Sequence, residues 1–319
     1  MTISAKPTVS IVVPVYNGSA TLAELVDRLA SVLTVSASDF EVLLIDDGSA
    51  DGSWTVIAAL AARYPWVHGI RLMRNYGQHN ATLCGLRAAR FDLTVTMDDD
   101  LQHRPEQSPV LLQALDGNVD VVYGAPAAER HGLWRDVASR VTKLALQSVL
   151  GAQTARQVSG FRVLRTRLRG GFAGFRGPFV SLDVLLTWTT TRFTSRVIPH
   201  DHRRVGESNY TFMKLIAHAL NMVTGFSTLP LQIASVVGFA AMLFGVVLLV
   251  FVLGRYLMNG VSVPGFTFLA SVICVFSGAQ LFALGMVGEY LARMHYRMMD
   301  RPAYAVAAEV GGAGAPAER

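Results

Sequence analysis

Three consecutive aspartates, Asp98, Asp99 and Asp100, follow Leu93–Met97, an apolar segment typical of a β-strand. Neighbouring carboxylates repel each other, at a cost of about 1 kcal/mol per pair when they are ~4 Å apart in water. One aspartate is enough to cap the helix that Pro105 would begin, so a capping turn is the simplest alternative interpretation. Three aspartates suggest instead that a bound cation offsets the repulsion.

Two other polar clusters, Tyr16–Gly18 and Asp46–Ser49, also follow apolar strand-like segments. Segments with helical spacing lie between the strands, which predicts an α/β fold with a mainly parallel sheet covered on both faces. Because ligands bind beyond the carboxyl ends of such strands, we expect all three clusters to open into one crevice. The predicted strands lie near residues 9–16, 41–46, 69–73, 93–97 and 119–125, and the predicted helices near 22–33, 53–63, 78–89 and after Pro105.

Several other classes of function find no support in the sequence. Neither GxGxxG nor GxxxxGK[ST] occurs, which argues against a dinucleotide oxidoreductase and a P-loop enzyme. Cys84 and Cys274 have no metal-ligand spacing, and a disulfide between them is not expected. The formal net charge of +5 is too small to predict nucleic-acid binding, and a basic face toward anionic lipid is the simpler explanation.

The composition predicts a membrane protein. Of the 319 residues, 51% are hydrophobic and only 16% are charged, and no charged residue occurs in Leu229–Leu253 or in Val261–Gly288. Each segment exceeds the ~20 residues that cross a bilayer core, and a buried core helix is the less favoured alternative at this length. Arginines and a lysine flank the pair on its outer sides, whereas the intervening loop holds only Arg255, which predicts a hairpin with both ends in the cytoplasm.

The sequence therefore divides into four parts. Residues 1–208 would form a cytoplasmic domain, and residues 209–227 an amphipathic helix in the lipid interface, with core packing as the alternative. Residues 228–292 would contain two transmembrane helices at about 229–253 and 264–288. Residues 293–319 would be a basic segment followed by a tail that is expected to be disordered from Ala305 onward, because it is rich in Ala and Gly.

Together these segments resemble glycosyltransferase family 2, the inverting enzymes with the GT-A fold, and more narrowly the membrane-anchored polyprenyl-phosphate glycosyltransferases. The resemblance runs from about Val9 to Tyr304. RNYGQH, GESNYTFMKL and RPAY look particularly like the bacterial group that loads 4-deoxy-4-formamido-arabinose onto undecaprenyl phosphate. The matching motifs are VSIVVPVYN, LLIDDGSADGS, RNYGQH, MDDDLQHRPE, RRVGESNYTF and the GEY that ends the second span.

The resemblance implies a divalent cation, Mg²⁺ or Mn²⁺, at Asp98-x-Asp100, which is the DxD motif of the family. Asp100 would be a metal ligand with Gln102 as a possible second, and Asp98 would hold the ribose or belong to the metal shell. Asp99 occupies the variable position of the motif and is expected to matter least. The cation would neutralise the charge that develops on a departing nucleoside diphosphate.

The resemblance also implies a site for a nucleotide-sugar donor, with UDP favoured over GDP. Asp46 or Asp47 would accept a hydrogen bond from uracil or ribose, and Gly48 would let the turn bend. His79 and His103 border the crevice, where a structural role is the simpler interpretation than metal ligation. The implied donor-binding residues are Pro14, Tyr16, Asn17, Asp46, Asp47, Gly48, Ser49, Arg74, Asn75, Gln78 and Asp98.

Acceptor recognition is implied for four residues: Arg130, Arg135, Ser139 and Arg203. Arginine suits a phosphate because its planar guanidinium donates two parallel hydrogen bonds. Arg203 could contact the phosphate of either donor or acceptor. The alternative for these arginines is ordinary solvated surface charge.

Two positions depart from the family pattern. Gly18 stands where relatives usually have Glu, so one donor contact is missing. Gln157 stands where many relatives have the Asp assigned as catalytic base, and glutamine cannot accept a proton. Either the enzyme is impaired or a base is dispensable, and the second is favoured because a phosphate monoester, with its second pKa at about 6, is largely a dianion at pH 7. The implied catalytic residues are Asp98, Asp100 and Gln157, the last of which would orient the acceptor.

The resulting hypothesis is a metal-dependent polyprenyl-phosphate glycosyltransferase in the plasma membrane. It would invert the configuration of the transferred sugar, and relatives suggest a homo-oligomer, specifically a tetramer. A catalytically silent subunit that binds nucleotide-sugar is the first alternative, motivated by Gly18 and Gln157. A processive polysaccharide synthase is the second, but the chain lacks their Q-x-x-R-W motif and two spans are too few for a channel.

Overall fold

The computed structural model describes residues 6–126, 158–177, 180–199, 229–259 and 265–311. The described strands are β1 Thr8–Val15, β2 Asp39–Asp46, β3 Val67–Leu72, β4 Leu93–Thr96, β5 Val121–Pro126, β6 Arg162–Arg165, β7 Phe193–Ile198 and β8 Val306–Val310. The described α-helices are α1 Leu22–Ser36, α2 Ser53–Arg63, α3 Gln78–Ala88, α4 Ser108–Gln113, α5 Leu182–Thr187, α6 Leu229–Asn259 and α7 Gly265–Met298. The strands form one sheet in the order β7-β5-β6-β4-β1-β2-β3-β8.

The centre of the sheet is formed by β1, with β2 and β4 parallel to it on either side. Every residue of β1 after Thr8 is buried, because α1 and α2 pack on one face of the sheet and α3 on the other. Of the apolar positions of α1 predicted from helical spacing, Val32 is partly exposed and the others are buried, with Leu22, Leu25 and Leu29 fully so. Each fully buried leucine contributes about 1.5–3 kcal/mol, so this helix holds the sheet firmly under the loops at its carboxyl edge.

Antiparallel β6 brings a distant segment next to the three aspartates. It pairs with β4 so that Arg162 lies opposite Thr96, and the start of β6 therefore lies beside the end of β4. The Thr96 hydroxyl donates a hydrogen bond of 2.7 Å to the Gly160 carbonyl. A Cβ on Gly160 would lie 3.1 Å from both carboxylate oxygens of Asp98, so this position favours glycine.

The segment after α7 returns to the sheet, and the expectation of a disordered tail from Ala305 onward is wrong for β8. This strand pairs antiparallel with β3, and the Met73 N–H donates to the Ala305 carbonyl at 2.9 Å. Ala303 is buried and Tyr304 packs against core residues on the α3 side of the sheet. The Ala-rich sequence carries no strand signal of its own, because the strand depends on the open edge of β3.

The two long helices α6 and α7 lie where the transmembrane spans were predicted. Each contains a stretch long and apolar enough to cross a bilayer, Leu231–Arg255 and Val275–His295, and no part of the most apolar window of either is buried. A core helix of a soluble domain would be mostly buried, so these exposed apolar surfaces suit a hydrocarbon environment. The predicted interfacial helix at residues 209–227 lies outside the described residues.

Candidate active site

Hydrogen bonds join the loops that follow β1 and β2. The Asn17 N–H donates to the Ser49 hydroxyl at 3.0 Å, and the Asn17 side-chain oxygen accepts the Ala50 N–H at 3.0 Å. The Gly18 N–H donates to the Ser53 hydroxyl at the start of α2, also at 3.0 Å. Asn17 has φ 55°, a left-handed conformation that asparagine tolerates better than most residues. Asn17 and Ser49 therefore shape the site by binding each other.

The turn after β2 requires glycine at position 48, as the sequence predicted. Gly48 has φ 68°, and a Cβ there would lie 2.5 Å from the Arg74 backbone carbon and 2.7 Å from the Asn75 nitrogen. The loop after β2 therefore packs directly on the loop after β3. This contact brings a third loop to the same edge of the sheet.

Asp46 and Asp47 are both buried at the end of β2. Asp46 accepts a backbone N–H within its own turn at 2.9 Å, and its other oxygen lies 3.3 Å from Arg71 Nε. Asp47 accepts the backbone N–H groups of Tyr76 and Gly77 at 2.7 and 2.8 Å. Burial raises the pKa of Asp47 to about 6, although these two N–H donors offset part of the effect. The pair mainly holds loops in place.

Asp98 is oriented by side chains from two other segments. Gln78 Nε2, on the first residue of α3, donates to Asp98 Oδ1 at 2.5 Å. His103 Nδ1 lies 3.8 Å from Asp98 Oδ2, and the imidazole packs against Phe161 with ring centroids 5.3 Å apart. His103 is buried, so its position agrees with a structural role.

Asp99 occupies the space that Gly18 leaves open. A Cβ on Gly18 would lie 2.1 Å from Asp99 Oδ2, so any larger residue at position 18 would displace this carboxylate. Burial, followed by the charges of Asp100 and Asp98, raises the pKa of Asp99 to about 7. Just beyond the triplet, Leu101 is buried with φ 61°, a strained conformation for a leucine. The turn that follows β4 therefore concentrates both charge and backbone strain.

A cavity of about 210 Å³ lies where these loops meet, and it is called the carboxylate cavity below. It receives residues from the ends of β1, β2 and β4, which confirms that the three polar clusters open into one crevice. Its described lining residues are Pro14, Val15, Tyr16, Asp47, Asn75, Gly77, Gln78 and Asp98–Asp100.

Some predicted donor-binding residues do not line this cavity. Asp46 is fully buried, and Arg74 lies over the Tyr76 ring with its guanidinium carbon 4.7 Å from the centroid. Asn17, Gly48 and Ser49 are also absent from the described lining, because they form the loop contacts above. The Gln102 N–H donates to Asp100 Oδ1 at 3.1 Å, so the backbone of Gln102 supports this aspartate.

A second cavity of about 290 Å³ adjoins the first and shares Pro14, Gln78 and Asp98 with it. It is called the ion-pair cavity below, because the ion pair of Arg162 and Asp183 lies in its wall. Neither residue was given a role from the sequence; Arg162 begins β6 and Asp183 lies in the first turn of α5. Its described lining residues are Pro14, Gln78, His79, Thr82, Thr96–Asp98, Val158–Gly160, Arg162, Ser181 and Asp183.

The predicted acceptor residues Arg130, Arg135, Ser139 and Arg203 lie outside the described residues, as does Gln157. Val158, which follows Gln157, lines the ion-pair cavity. The roles proposed for these five residues stay predictions.

A profile of the family described as "Glycosyl transferase family 2" matches residues 10–179. The chain belongs to glycosyl transferase family 2. Undecaprenyl-phosphate 4-deoxy-4-formamido-L-arabinose transferase from Yersinia pestis bv. Antiqua (strain Angola) is 33% identical over 308 residues, 95% of this chain and 94% of the relative. The protein of the same name from Yersinia pseudotuberculosis serotype O:3 (strain YPIII) matches with the same identity and coverage.

A solved structure places this family 2 member among known folds. Glucosyl-3-phosphoglycerate synthase from Mycobacterium tuberculosis, in complex with Mn²⁺, UDP-glucose and phosphoglyceric acid, superposes with a TM-score of 0.51. The match covers 68% of this chain and 78% of that chain at 18% identity, so it concerns the fold alone. The α/β fold predicted from the sequence, with a GT-A domain and two added apolar helices, is confirmed.

Proposed function

We propose that this glycosyltransferase moves a sugar from a nucleotide-sugar, in the simplest case a UDP-sugar, to a polyprenyl phosphate at a membrane surface. One observation carries the proposal: two cavities meet at Asp98. The same chain also has two apolar helices long enough to cross a bilayer. The Yersinia relatives act, by their names, on undecaprenyl phosphate, which supports a polyprenyl phosphate as acceptor. The structural neighbour was crystallised with UDP-glucose, which supports a UDP-sugar as donor.

The carboxylate cavity is the proposed site of the nucleoside diphosphate. Tyr16 is half exposed at its mouth, where the ring can cover the flat face of a base. Asn75 supplies amide groups that can pair with a base or a phosphate, and Asp47 lies on the same wall. The diphosphate would then lie toward the three aspartates, where its charge requires compensation.

A divalent cation, Mg²⁺ or Mn²⁺, is the proposed source of that compensation. The donor set fits, because charge crowding by Asp98 and Asp100 adds to the burial that raises the Asp99 pKa to about 7. Within the described part of the chain, no three or more His, Cys, Asp or Glu side chains group to hold a metal ion. Asp98 and Asp100 would therefore share the cation with diphosphate oxygens, as is common for Mg²⁺. The bound cation would neutralise charge on the departing diphosphate.

The proposed reaction is an in-line displacement. An oxygen of the acceptor phosphate attacks the anomeric carbon and forms a new C–O bond, while the bond from that carbon to UDP breaks and the configuration inverts. Because the phosphate is already largely a dianion, it needs positioning and charge screening more than deprotonation, so Gln157 is compatible with catalysis. Gln78 contributes by holding Asp98 in one orientation at 2.5 Å.

The acceptor side and the topology remain proposals. Arg130, Arg135, Ser139 and Arg203 would bind the acceptor phosphate, since charge-assisted bonds from arginine suit that group. The distribution of basic residues around the hairpin puts the catalytic domain and both ends in the cytoplasm. A homotetramer stays a prediction from the family resemblance.

A product assay tests the proposal. The full chain in detergent is mixed with Mg²⁺ or Mn²⁺, undecaprenyl or decaprenyl phosphate, and a panel of UDP- and GDP-sugars, and mass spectrometry detects any polyprenyl-phospho-sugar. We expect one new lipid from a UDP-sugar, and no product after EDTA treatment. UDP binding without product from any donor would contradict the proposal and favour a catalytically silent subunit.

A further inference from the structure

The wall of the ion-pair cavity contains a buried network that the proposed reaction does not yet use. Arg162 and Asp183 are each 4% exposed, and Arg162 Nη1 donates to Asp183 Oδ1. The hydroxyl of Tyr123, which is fully buried, donates to the same carboxylate oxygen at 2.9 Å. A buried ion pair loses much solvation energy, so its placement beside a cavity rather than in the core calls for a functional explanation.

This network has hydrogen-bonding capacity left over. Asp183 Oδ1 accepts both bonds, so Oδ2 remains able to accept one from a ligand. Arg162 Nε is buried and has no hydrogen-bond partner among the described residues. Ser181, 2% exposed and also in the cavity wall, makes no side-chain capping bond to α5. A ligand with hydroxyl or amide groups would satisfy such polar groups where they lie within reach of the cavity.

The charges around the cavity limit what can bind there. Arg162 and Asp183 neutralise each other, and Asp98 is the remaining carboxylate among the described lining residues. Arg162 is already paired with Asp183 and offers a dianionic phosphate no unpaired positive charge, so the acceptor headgroup is a poor occupant. An uncharged polar group meets both a donor and an acceptor without repulsion from either member of the pair.

We propose that the ion-pair cavity binds the sugar of the nucleotide-sugar, and that Arg162 and Asp183 together restrict this site to sugars without a charged substituent. The inference rests on the proposed function, which puts the nucleoside diphosphate in the adjoining carboxylate cavity. Both cavities share Gln78 and Asp98, so a donor that spans them keeps its sugar–phosphate bond beside the aspartates. Carboxylate and ammonium substituents are disfavoured for the same reason: either would lose its hydration in the cavity and meet only an opposite charge that is already paired.

The test compares two donors that differ in one carboxylate. UDP-xylose and UDP-glucuronic acid share the same ring, but only the latter carries a carboxylate at C5. Dissociation constants are measured by calorimetry with the full chain in detergent and Mn²⁺. We expect UDP-xylose to bind the wild type at least about tenfold more tightly than UDP-glucuronic acid. Equal affinities would overturn the inference.

Asp183→Asn tests whether the pair causes this discrimination. Asparagine keeps the shape and one acceptor oxygen but removes the charge, which leaves the Arg162 guanidinium to attract a carboxylate. We expect the preference for UDP-xylose to shrink by about tenfold, through tighter binding of UDP-glucuronic acid. If the ion pair had a merely structural role, the substitution would weaken the binding of both donors equally. An unchanged preference for UDP-xylose would therefore overturn the inference. Asp116→Asn, an exposed residue, is the matched control.

The opposite charge provides a second comparison. UDP-N-acetylglucosamine and UDP-glucosamine differ by an amide in place of an ammonium group. The wild type should prefer the amide, whereas Asp183→Asn should strengthen that preference, because Arg162 then repels the ammonium group without compensation. If Asp183→Asn instead reduced the preference for UDP-N-acetylglucosamine, as it should reduce that for UDP-xylose, the substitution would have loosened the site in general. That result would contradict the inference.

A variant outside the ion pair keeps the test valid if Asp183→Asn fails to fold. Ser181→Ala removes one hydroxyl from the cavity wall and should weaken UDP-xylose about fivefold, while the affinity for UDP alone stays unchanged. Thr187→Ala is the matched control, at the end of the helix α5 that Ser181 precedes. The Thr187 hydroxyl donates to the Val184 carbonyl and Thr187 does not belong to the described lining, so this variant should change neither affinity. Equal effects of the two variants would overturn the inference. Loss of UDP binding in the wild type would instead contradict the proposed function.

Discussion

The acidic turns after β2 and β4 look alike in sequence and differ in the structure. Asp46 and Asp47 accept hydrogen bonds from the protein's own backbone, including two N–H groups of the loop after β3. In the second turn, Asp98 accepts a short bond from Gln78, and Asp99 accepts backbone N–H groups while the charges of Asp98 and Asp100 crowd it. The first turn holds the loops after β2 and β3 together, whereas the second gathers three carboxylates, where burial and the charges of Asp100 and Asp98 raise the pKa of Asp99.

This difference teaches that the crowding of three like charges, rather than the mere presence of aspartates, distinguishes the second turn from the first. In the first turn each oxygen of Asp47 accepts a backbone N–H, so the protein itself holds this carboxylate in one orientation. Substitutions in the first turn should therefore change stability, and substitutions in the second should change activity.

The largest effect is expected from Asp100→Asn. This change removes a proposed metal-ligand charge while asparagine can still accept the Gln102 N–H, so the fold should be retained. We expect product formation to fall by more than about 100-fold with an unchanged thermal midpoint. Activity near the wild-type level would remove Asp100 from the proposed metal site, and Asp116→Asn is again the control.

Asp47→Asn should lower the stability of the protein more than its activity. Asparagine has one acceptor oxygen, so one of the N–H groups of Tyr76 and Gly77 would lose its partner. A lost buried hydrogen bond costs about 1–3 kcal/mol, which corresponds to a thermal midpoint lower by about 3–8 °C. Activity measured below that midpoint should fall less than in Asp100→Asn. A variant that is stable but inactive would contradict the structural role of this turn.

The raised pKa of Asp47 adds a pH dependence to this stability. Its pKa is about 6 in the folded protein against 3.8 as the ordinary value. Because ionisation of Asp47 is costly in the folded protein, its contribution to the free energy of unfolding is highest below about pH 4, where the carboxyl is protonated in both states. This contribution is lost as the pH rises through about 6. The stability advantage of wild type over Asp47→Asn should therefore shrink between these values, by about 3 kcal/mol. Thermal midpoints measured at several pH values check this, and a constant difference would contradict the assignment.

The smallest effect concerns the contact between Gly18 and Asp99. Gly18→Ala puts a Cβ 2.1 Å from Asp99 Oδ2, which should displace the carboxylate and weaken UDP binding about fivefold. Asp99→Ala in the same chain removes the clashing oxygen and should restore most of the affinity. Gly52→Ala is the matched control, since a Cβ there meets nothing within 4 Å. Additive effects in the double variant would show that the two positions do not interact.

Much of the catalytic domain could be predicted from the sequence. Strands β1 to β4, their helices and the shared crevice follow from apolar periodicity and from the rule that parallel strands end at one edge. The two apolar helices follow from length and composition. The sequence could not predict which of the two adjacent residues Asp46 and Asp47 reaches the cavity, and only the fold shows that Asp47 alone of the two belongs to the described lining.

The sequence by itself determined the order of the elements, the site edge and the apolar hairpin, because these depend on residue types close together in the chain. The tertiary structure decided which residues share a cavity. Arg162 and Asp183 are 21 positions apart and pair only because β6 and α5 meet behind Asp98. Strand β8 forms only where β3 offers a free edge, more than two hundred residues earlier in the chain. Such contacts depend on packing between distant segments, which no local pattern records.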